Sequence, residues 1–143
     1  MMIYSIKKWF EVAKPEPTVK DASVQIGCHY EEVAEMANAL LDYKIKERAE
    51  NAANTYKDAD DYFTDFLEYL TESQRIYILD ALCDQIVTAV GVAYMMGMDI
   101  EGALAEVNRS NWSKFEGGVP VFNEQGKIAK GAEYTPPELS DYI

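Results

Sequence analysis

Cysteine, histidine and positive charge are all scarce in this chain. Two cysteines in 143 residues, Cys28 and Cys83, stand far apart with no C-x-x-C spacing, which argues against a zinc site or a redox pair. Buried thiols in a reducing compartment are the expected reading. A single histidine, His29, cannot supply the two Glu-x-x-His motifs of the carboxylate-bridged di-iron bundles, so iron chemistry of that kind is excluded. As a lone histidine it reads as a packed or capping residue before it reads as a ligand. Lys and Arg total 13 against 25 Asp and Glu, a formal net charge of −12. A surface that acidic repels phosphate backbones and anionic lipid, so no nucleic-acid and no membrane partner is expected. One anionic ligand remains compatible, because a bound divalent metal reverses the local sign. The N-terminus, MMIYSIKKWFEVAK, lacks an apolar stretch followed by a small-residue cleavage site. No segment alternates in the manner of a substantial sheet. A soluble, cytoplasmic protein is the expectation.

What is present is helical. With 48% hydrophobic residues, the 143-residue chain fits one domain with its own core. Residues 3–13 place Ile3, Ile6, Phe10 and Ala13 at helical spacing and stop before Pro15-Glu16-Pro17. Phe10 is expected in the core. Thr18 can cap a second helix, with Asp21 three residues on as its capping-box partner. That helix is expected to run to about Tyr43 or beyond, on an inward stripe of Ala22, Ile26, Val33, Ala37, Leu40 and Leu41. Residues 44–57 are charged and Ala/Asn-rich, an exposed helical continuation or a looser connection. Residues 58–70 read as a short helix. Thr71 or Ser73 opens the most apolar helix, which ends near Gly97, and Asp99 caps a last helix to about Asn111. From Gly117 onward the chain reads as loop, with a small hairpin around residues 123–126 as one option. The fold class is therefore all-α, a bundle of four or five helices with an irregular tail over residues 117–143.

The chemistry is suggested by carboxylates. In RIYILDALCDQIVTAVGVAYMMG, Asp80, Asp84 and Thr88 recur every four residues and form one polar stripe on a helix otherwise apolar nearly all round. Such a helix is expected to be buried, and its uninterrupted apolar remainder is too short to span a bilayer. Two buried carboxylates cost several kcal/mol each unless a cation compensates, and no Lys or Arg of this helix lies on the stripe. On the second helix, Glu31 and Glu32 stand four and three residues before Glu35, so either pair shares a face. A Glu-Glu-x-x-Glu pattern alone is common on solvated faces. Set beside Asp80 and Asp84, it points to hard divalent cations with oxygen ligands, Mg²⁺ or Mn²⁺.

A second unusual stretch is Asn108-Arg109-Ser110-Asn111-Trp112-Ser113-Lys114. Helix capping accounts for Ser110 and Asn111. The sharper alternative is a phosphate-facing corner, with Lys114 as a point charge and Asn111 as a hydrogen-bonding group. Lys127 and Lys130 can close over the same ligand or stand as solvated loop lysines. Trp9, Phe10 and Trp112 offer stacking surfaces for a base.

Taken in order, these motifs resemble the all-α nucleoside triphosphate pyrophosphohydrolases, the MazG-like and phosphoribosyl-ATP pyrophosphohydrolase-like group. Glu31-Glu32-Val33-Ala34-Glu35 is similar to that group's first metal motif, and Ala81-Leu82-Cys83-Asp84 aligns with its Glu-x-x-Asp. Ala81 stands where the group usually has Glu, and Asp80 makes the pair Asp-x-x-x-Asp, a form similar to phage-type members. Residues 107–114 resemble V-x-R-S-N-x-S-K, and the likeness continues through Gly126-Lys127-Ile128-Ala129-Lys130 and Tyr134-Thr135-Pro136-Pro137. The resemblance spans roughly residues 25–139. It implies Mg²⁺-dependent hydrolysis of a (deoxy)nucleoside triphosphate to monophosphate and pyrophosphate. It implies metal ligands Glu32, Glu35, Asp80 and Asp84, and Glu35 or Glu31 orienting or deprotonating water. It also implies phosphate contacts from Lys114, Asn111, Lys127 and Lys130, Trp112 beside the substrate, and a homodimer or homotetramer. Two alternatives stand beside it: a non-enzymatic acidic helical interaction protein that mimics DNA charge, and the same fold acting on a non-standard phosphorylated nucleotide.

Overall fold

The computed structural model describes residues 1–124 and 126–143. It is all-helical. The α-helices are α1 (Met2–Ala13), α2 (Val19–Ala39), α3 (Tyr43–Lys57), α4 (Asp61–Glu68), α5 (Glu72–Met95) and α6 (Ile100–Trp112), followed by a 3₁₀ turn at Ser140–Tyr142. The chain divides into two compact units, one of Pro17–Ile76 and one of Met1–Glu16 with Tyr77–Ile143.

Local chemistry sets the helix starts. Thr18 and Asp21 form the reciprocal capping box, the hydroxyl taking the Asp21 N–H and the carboxylate taking the Thr18 N–H. Asp42, Asp60 and Asp99 cap α3, α4 and α6 by accepting the N–H of Ile45, Phe63 and Gly102. At α5, Thr71 and Gln74 exchange the same pair of bonds. The helix expected to run to about Tyr43 or beyond ends at Ala39, and Tyr43–Lys57 is a helix of its own rather than its continuation or a looser connection. Leu41 takes a φ of 60° between α2 and α3, and Ala59 takes 47° between α3 and α4. Nothing in the side chain of a leucine announces a left-handed turn, so the break raised the helix count to six.

In the Pro17–Ile76 unit, α2 and α3 pack through small residues. Ser23, Gly27, Ala34 and Ala37 of α2 are buried, and so are Ala49 and Ala53 of α3. The approach is close: a Cβ on Gly27 would stand 2.6 Å from the Ala53 carbonyl oxygen. The Ser23 hydroxyl donates to the Tyr56 carbonyl at 2.7 Å. Rings extend this core toward α4, Tyr30 stacking on Tyr56 at 5.5 Å and Tyr56 meeting Phe63 at 5.2 Å. The expected inward stripe is thus displaced by about one residue. Ala37 alone of it is buried, Ile26 and Val33 are half-buried, and Ala22, Leu40 and Leu41 are exposed.

In the other unit, α1 lies on α6. The Trp9 indole donates to the Asn111 carbonyl at 2.8 Å and stacks on Phe115, whose ring is 1% exposed. Phe10, expected in the core, is exposed, and Phe115 takes that role. The tail is irregular but fixed to α6. The Ser110 hydroxyl donates to the Thr135 carbonyl at 2.9 Å. Arg109 pairs in a fork with Glu106 and also donates to Thr135 and to the Pro136 carbonyl. Asp99 donates its N–H to the Tyr142 carbonyl, and the Tyr142 ring packs over Gly102. Of the hairpin around residues 123–126, the Asn123 N–H bonds the Lys127 carbonyl and Phe122 bridges Ile128. Gln125 lies outside the described residues.

The largest departure from expectation is α5. Every residue from Tyr77 to Val90 is exposed, and Ala93 is its single buried position. Leu79 is 63% exposed and Val87 66%. Hydrophobic composition required a partner for this helix, and among the described residues no other helix covers it. By length and composition α5 is also sufficient to cross a bilayer, with a mean hydropathy of 1.6 over its best window. The carboxylates of Asp80 and Asp84, not its length, are what a hydrocarbon layer would reject.

Candidate functional site

The acidic residues singled out from the sequence fall into separate units. Glu31, Glu32 and Glu35 lie on α2, whereas Asp80, Asp84, Asn111, Trp112, Lys114, Lys127 and Lys130 belong to the unit that contains Tyr77–Ile143.

On α2, the turn spacing of Glu31 and Glu35 aims both at a cleft between α2 and α3 of about 590 Å³. Asn38 continues that row one turn further, over the Ala34 methyl. Opposite, α3 contributes Lys46, Glu50, Asn51 and Asn54 beside Ala53. The two carboxylates differ in their surroundings. Glu31 accepts the ammonium of Lys57, which reaches across from the last turn of α3. Glu35 makes no hydrogen bond or ion pair among the described residues and is left facing the cleft. Lys46 pairs with Glu50 at 3.3 Å, one turn along its own helix. Sequence reasoning found Glu31 and Glu35 and missed Asn38, Lys46, Glu50, Asn51 and Asn54. The signal was there in the Asn/Ala-rich composition of residues 44–57, whose alanines bring the polar neighbours close to α2.

On α5, Asp80 and Asp84 stand one turn apart and both are exposed. The buried carboxylate stripe inferred from composition is therefore corrected, because nothing among the described residues covers this part of α5. Thr88, the third member, turns its hydroxyl back to the Asp84 carbonyl at 2.9 Å. Cys83, expected to be buried, is exposed between them, while Cys28 is half-buried. Oxygen donors of this kind suit Mg²⁺ or Mn²⁺. Among the described residues no three His, Cys, Asp or Glu side chains converge as metal ligands.

Much of the stretch 107–114 is structural. Ser110 and Ser113 hold Thr135, and Arg109 is committed to Glu106, whose carboxyl that guanidinium and the Glu138 N–H hold down at about 2. Asn111 lends its carbonyl to Trp9, and Trp112 sets its ring edge-on to Phe115. Lys114, half-buried, gives its carbonyl to the Gly131 N–H and makes no ion pair among the described residues. Lys130 lies over the Tyr134 ring, 4.9 Å from its centre, and Lys127 closes the turn begun at Asn123. The residues that sequence reasoning missed here are Glu106 and Thr135, which sort the motif's polar groups into partners. No protein-family model matches the chain, and neither a curated protein nor a solved structure does.

Proposed function

We propose that this protein is a MazG-like nucleotide pyrophosphohydrolase, which cleaves (deoxy)nucleoside triphosphates between the α- and β-phosphates. The observation that carries the proposal is the pair of acidic rows, Glu31 with Glu35 opening on one cleft and Asp80 with Asp84 one turn apart on α5. Their order before residues 107–114 is similar to that of the motifs they resemble, with Asp80 and Ala81 departing from the usual Glu-x-x-Asp.

Glu32 and Glu35 on α2, and Asp80 and Asp84 on α5, are the carboxylates that would hold Mg²⁺ or Mn²⁺, an ion that supplies charge neutralisation for a triphosphate and a lowered pKa for a coordinated water. The chain's own groups divide the remaining work. Glu35, with no partner among the described residues, is the group left to orient the attacking water and accept its proton. Glu31 is tied to Lys57 and acts as a positioning residue. Lys114 steadies the departing pyrophosphate as a point charge, with Asn111, Lys127 and Lys130 contributing polar contacts and Trp112 an aromatic edge. The protein works in the reducing cytoplasm as a homodimer or homotetramer. The support for assembly is the exposed apolar length of α5, which a second copy would cover.

A second reading draws on the same exposure. Asp80 and Asp84 at the surface of a chain with a net charge of −12 suit an acidic interaction protein that binds a basic partner without catalysis. Incubation with mixed dNTPs, with and without Mg²⁺, separates the two. Hydrolysis gives monophosphate and pyrophosphate only with metal, and Glu35→Gln and Asp84→Asn each abolish it with helicity intact. Unchanged turnover in either variant removes that residue from the site, and no turnover in the wild type favours the second reading.

A further inference from the structure

We infer that the cleft between α2 and α3 receives the nucleoside end of the substrate and selects bases bearing an exocyclic amino group, with Glu50 as the discriminating residue. The inference rests on the hydrolysis proposed above for its substrate class, and on the cleft alone for its chemistry. A volume of about 590 Å³ is in the range of small-molecule sites, ample for a nucleoside. Ala34 and Ala53, each 3% exposed, close the cleft at its base where α2 and α3 meet. The side-chain amides of Asn38, Asn51 and Asn54 make no hydrogen bond among the described residues, although all three line the cleft. An amide offers a donor beside an acceptor, the pattern that pairs with the edge of a nucleobase.

Amides alone do not discriminate, because an amide can turn over to meet either an amino or a keto edge. A carboxylate cannot turn over in this sense. It accepts from an amino group and repels a keto oxygen. Glu35 is assigned to the chemistry, and Glu31 and Glu50 each pair with a lysine, Lys57 and Lys46; of these two, Glu50 stands one turn from the cleft amide of Asn54 on α3. Lys46 lies 3.3 Å from one Glu50 oxygen, leaving the other to accept from the base. Glu50 and Asn54 stand four residues apart on α3, so one edge of a base can meet carboxylate and amide together.

The test compares substrates that differ only at this edge: dATP against dITP, and dCTP against dUTP, each with Mg²⁺. The wild type is expected to favour the amino member of each pair by about tenfold or more in kcat/KM, and Glu50→Gln, close in shape and exposed on its helix, to bring both ratios near one. Equal turnover within the pairs by the wild type, or a ratio that persists in Glu50→Gln, overturns the assignment while leaving hydrolysis intact. A second arm needs no turnover. With ¹⁵N-labelled protein, neutral deoxyadenosine should shift the side-chain amide signals of Asn51 and Asn54 more than deoxyinosine does. That result without pyrophosphate release from any of the four nucleotides would reject the hydrolase and keep the cleft. Equal shifts, or none with either nucleoside, would reject the cleft.

Discussion

The α2–α3 pair and α5 invert the usual association of large hydrophobic residues with burial. Alanine, glycine and serine make the contact surface of α2 and α3, in helices whose other faces are polar. Leucine, isoleucine, valine and tyrosine fill α5, and nearly all of it is exposed. Small residues allow backbones to approach closely, and where Gly27 meets Ala53 the approach leaves no room for a side chain on the glycine. Side-chain size measures what burial would gain; it does not measure whether a partner is there to bury against. The same contrast separates the two acidic rows, Glu31 and Glu35 lying in a cleft shaped by a neighbouring helix, and Asp80 and Asp84 standing on an uncovered one.

The comparison breaks first at Gly27. Gly27→Val places carbon 2.6 Å from the Ala53 carbonyl oxygen and against Lys57. It should destabilise the α2–α3 pair by about 2–3 kcal/mol, lowering the melting temperature by roughly 5–10 °C. A melting temperature unchanged by this substitution would show that the small residues are not the contact. A smaller effect of opposite sign is expected at Ala59, where φ is 47°. Ala59→Gly relieves left-handed backbone at a cost in unfolded-chain entropy, for a net gain of about 0.5–1 kcal/mol.

Those two sites also show what was legible in the sequence. Caps were legible at Thr18-Asp21 and Asp99 because each is decided by atoms within three residues of the helix start. The α2 stripe was misplaced because a hydrophobic period weights Ile26, Leu40 and Leu41 above Ser23 and Gly27. The break at Leu41 and the substitution of Phe115 for Phe10 in the core depend on tertiary contacts that no local pattern carries. The carboxylate motifs were legible as residue types and spacings. The exposure of Asp80 and Asp84 was not, because burial on α5 was argued from the helix's own composition.

Docking of the tail on α6 sharpens the comparison at a polar contact. Arg109 and the Glu138 N–H hold the Glu106 carboxyl at about 2, below its ordinary 4.5. A depressed folded pKa gives stabilisation that is complete above about 4.5 and lost as pH falls toward 2. Amide exchange at Glu138, whose N–H donates to Glu106, should accelerate across that window beyond the intrinsic pH dependence, and Glu106→Gln should show the acceleration at neutral pH. Protection that is unaffected by either change would place the tail's anchor elsewhere. The smallest expected effect is on α5. At concentrations where the protein is monomeric, Val87→Ser should change stability by less than about 0.5 kcal/mol, because the residue is already exposed. A loss of several times that would show α5 to be core. At higher concentration Val87→Lys should shift sedimentation toward the monomer if α5 is the assembly surface.

Chromatography of a dNTP mixture after incubation with the wild-type protein, with Mg²⁺ and with the metal chelated, decides whether the protein is a pyrophosphohydrolase. Metal-dependent conversion to monophosphate and pyrophosphate, absent in Glu35→Gln, is the result expected. Triphosphates recovered intact in every sample, or conversion that Glu35→Gln performs as well as the wild type, would contradict it.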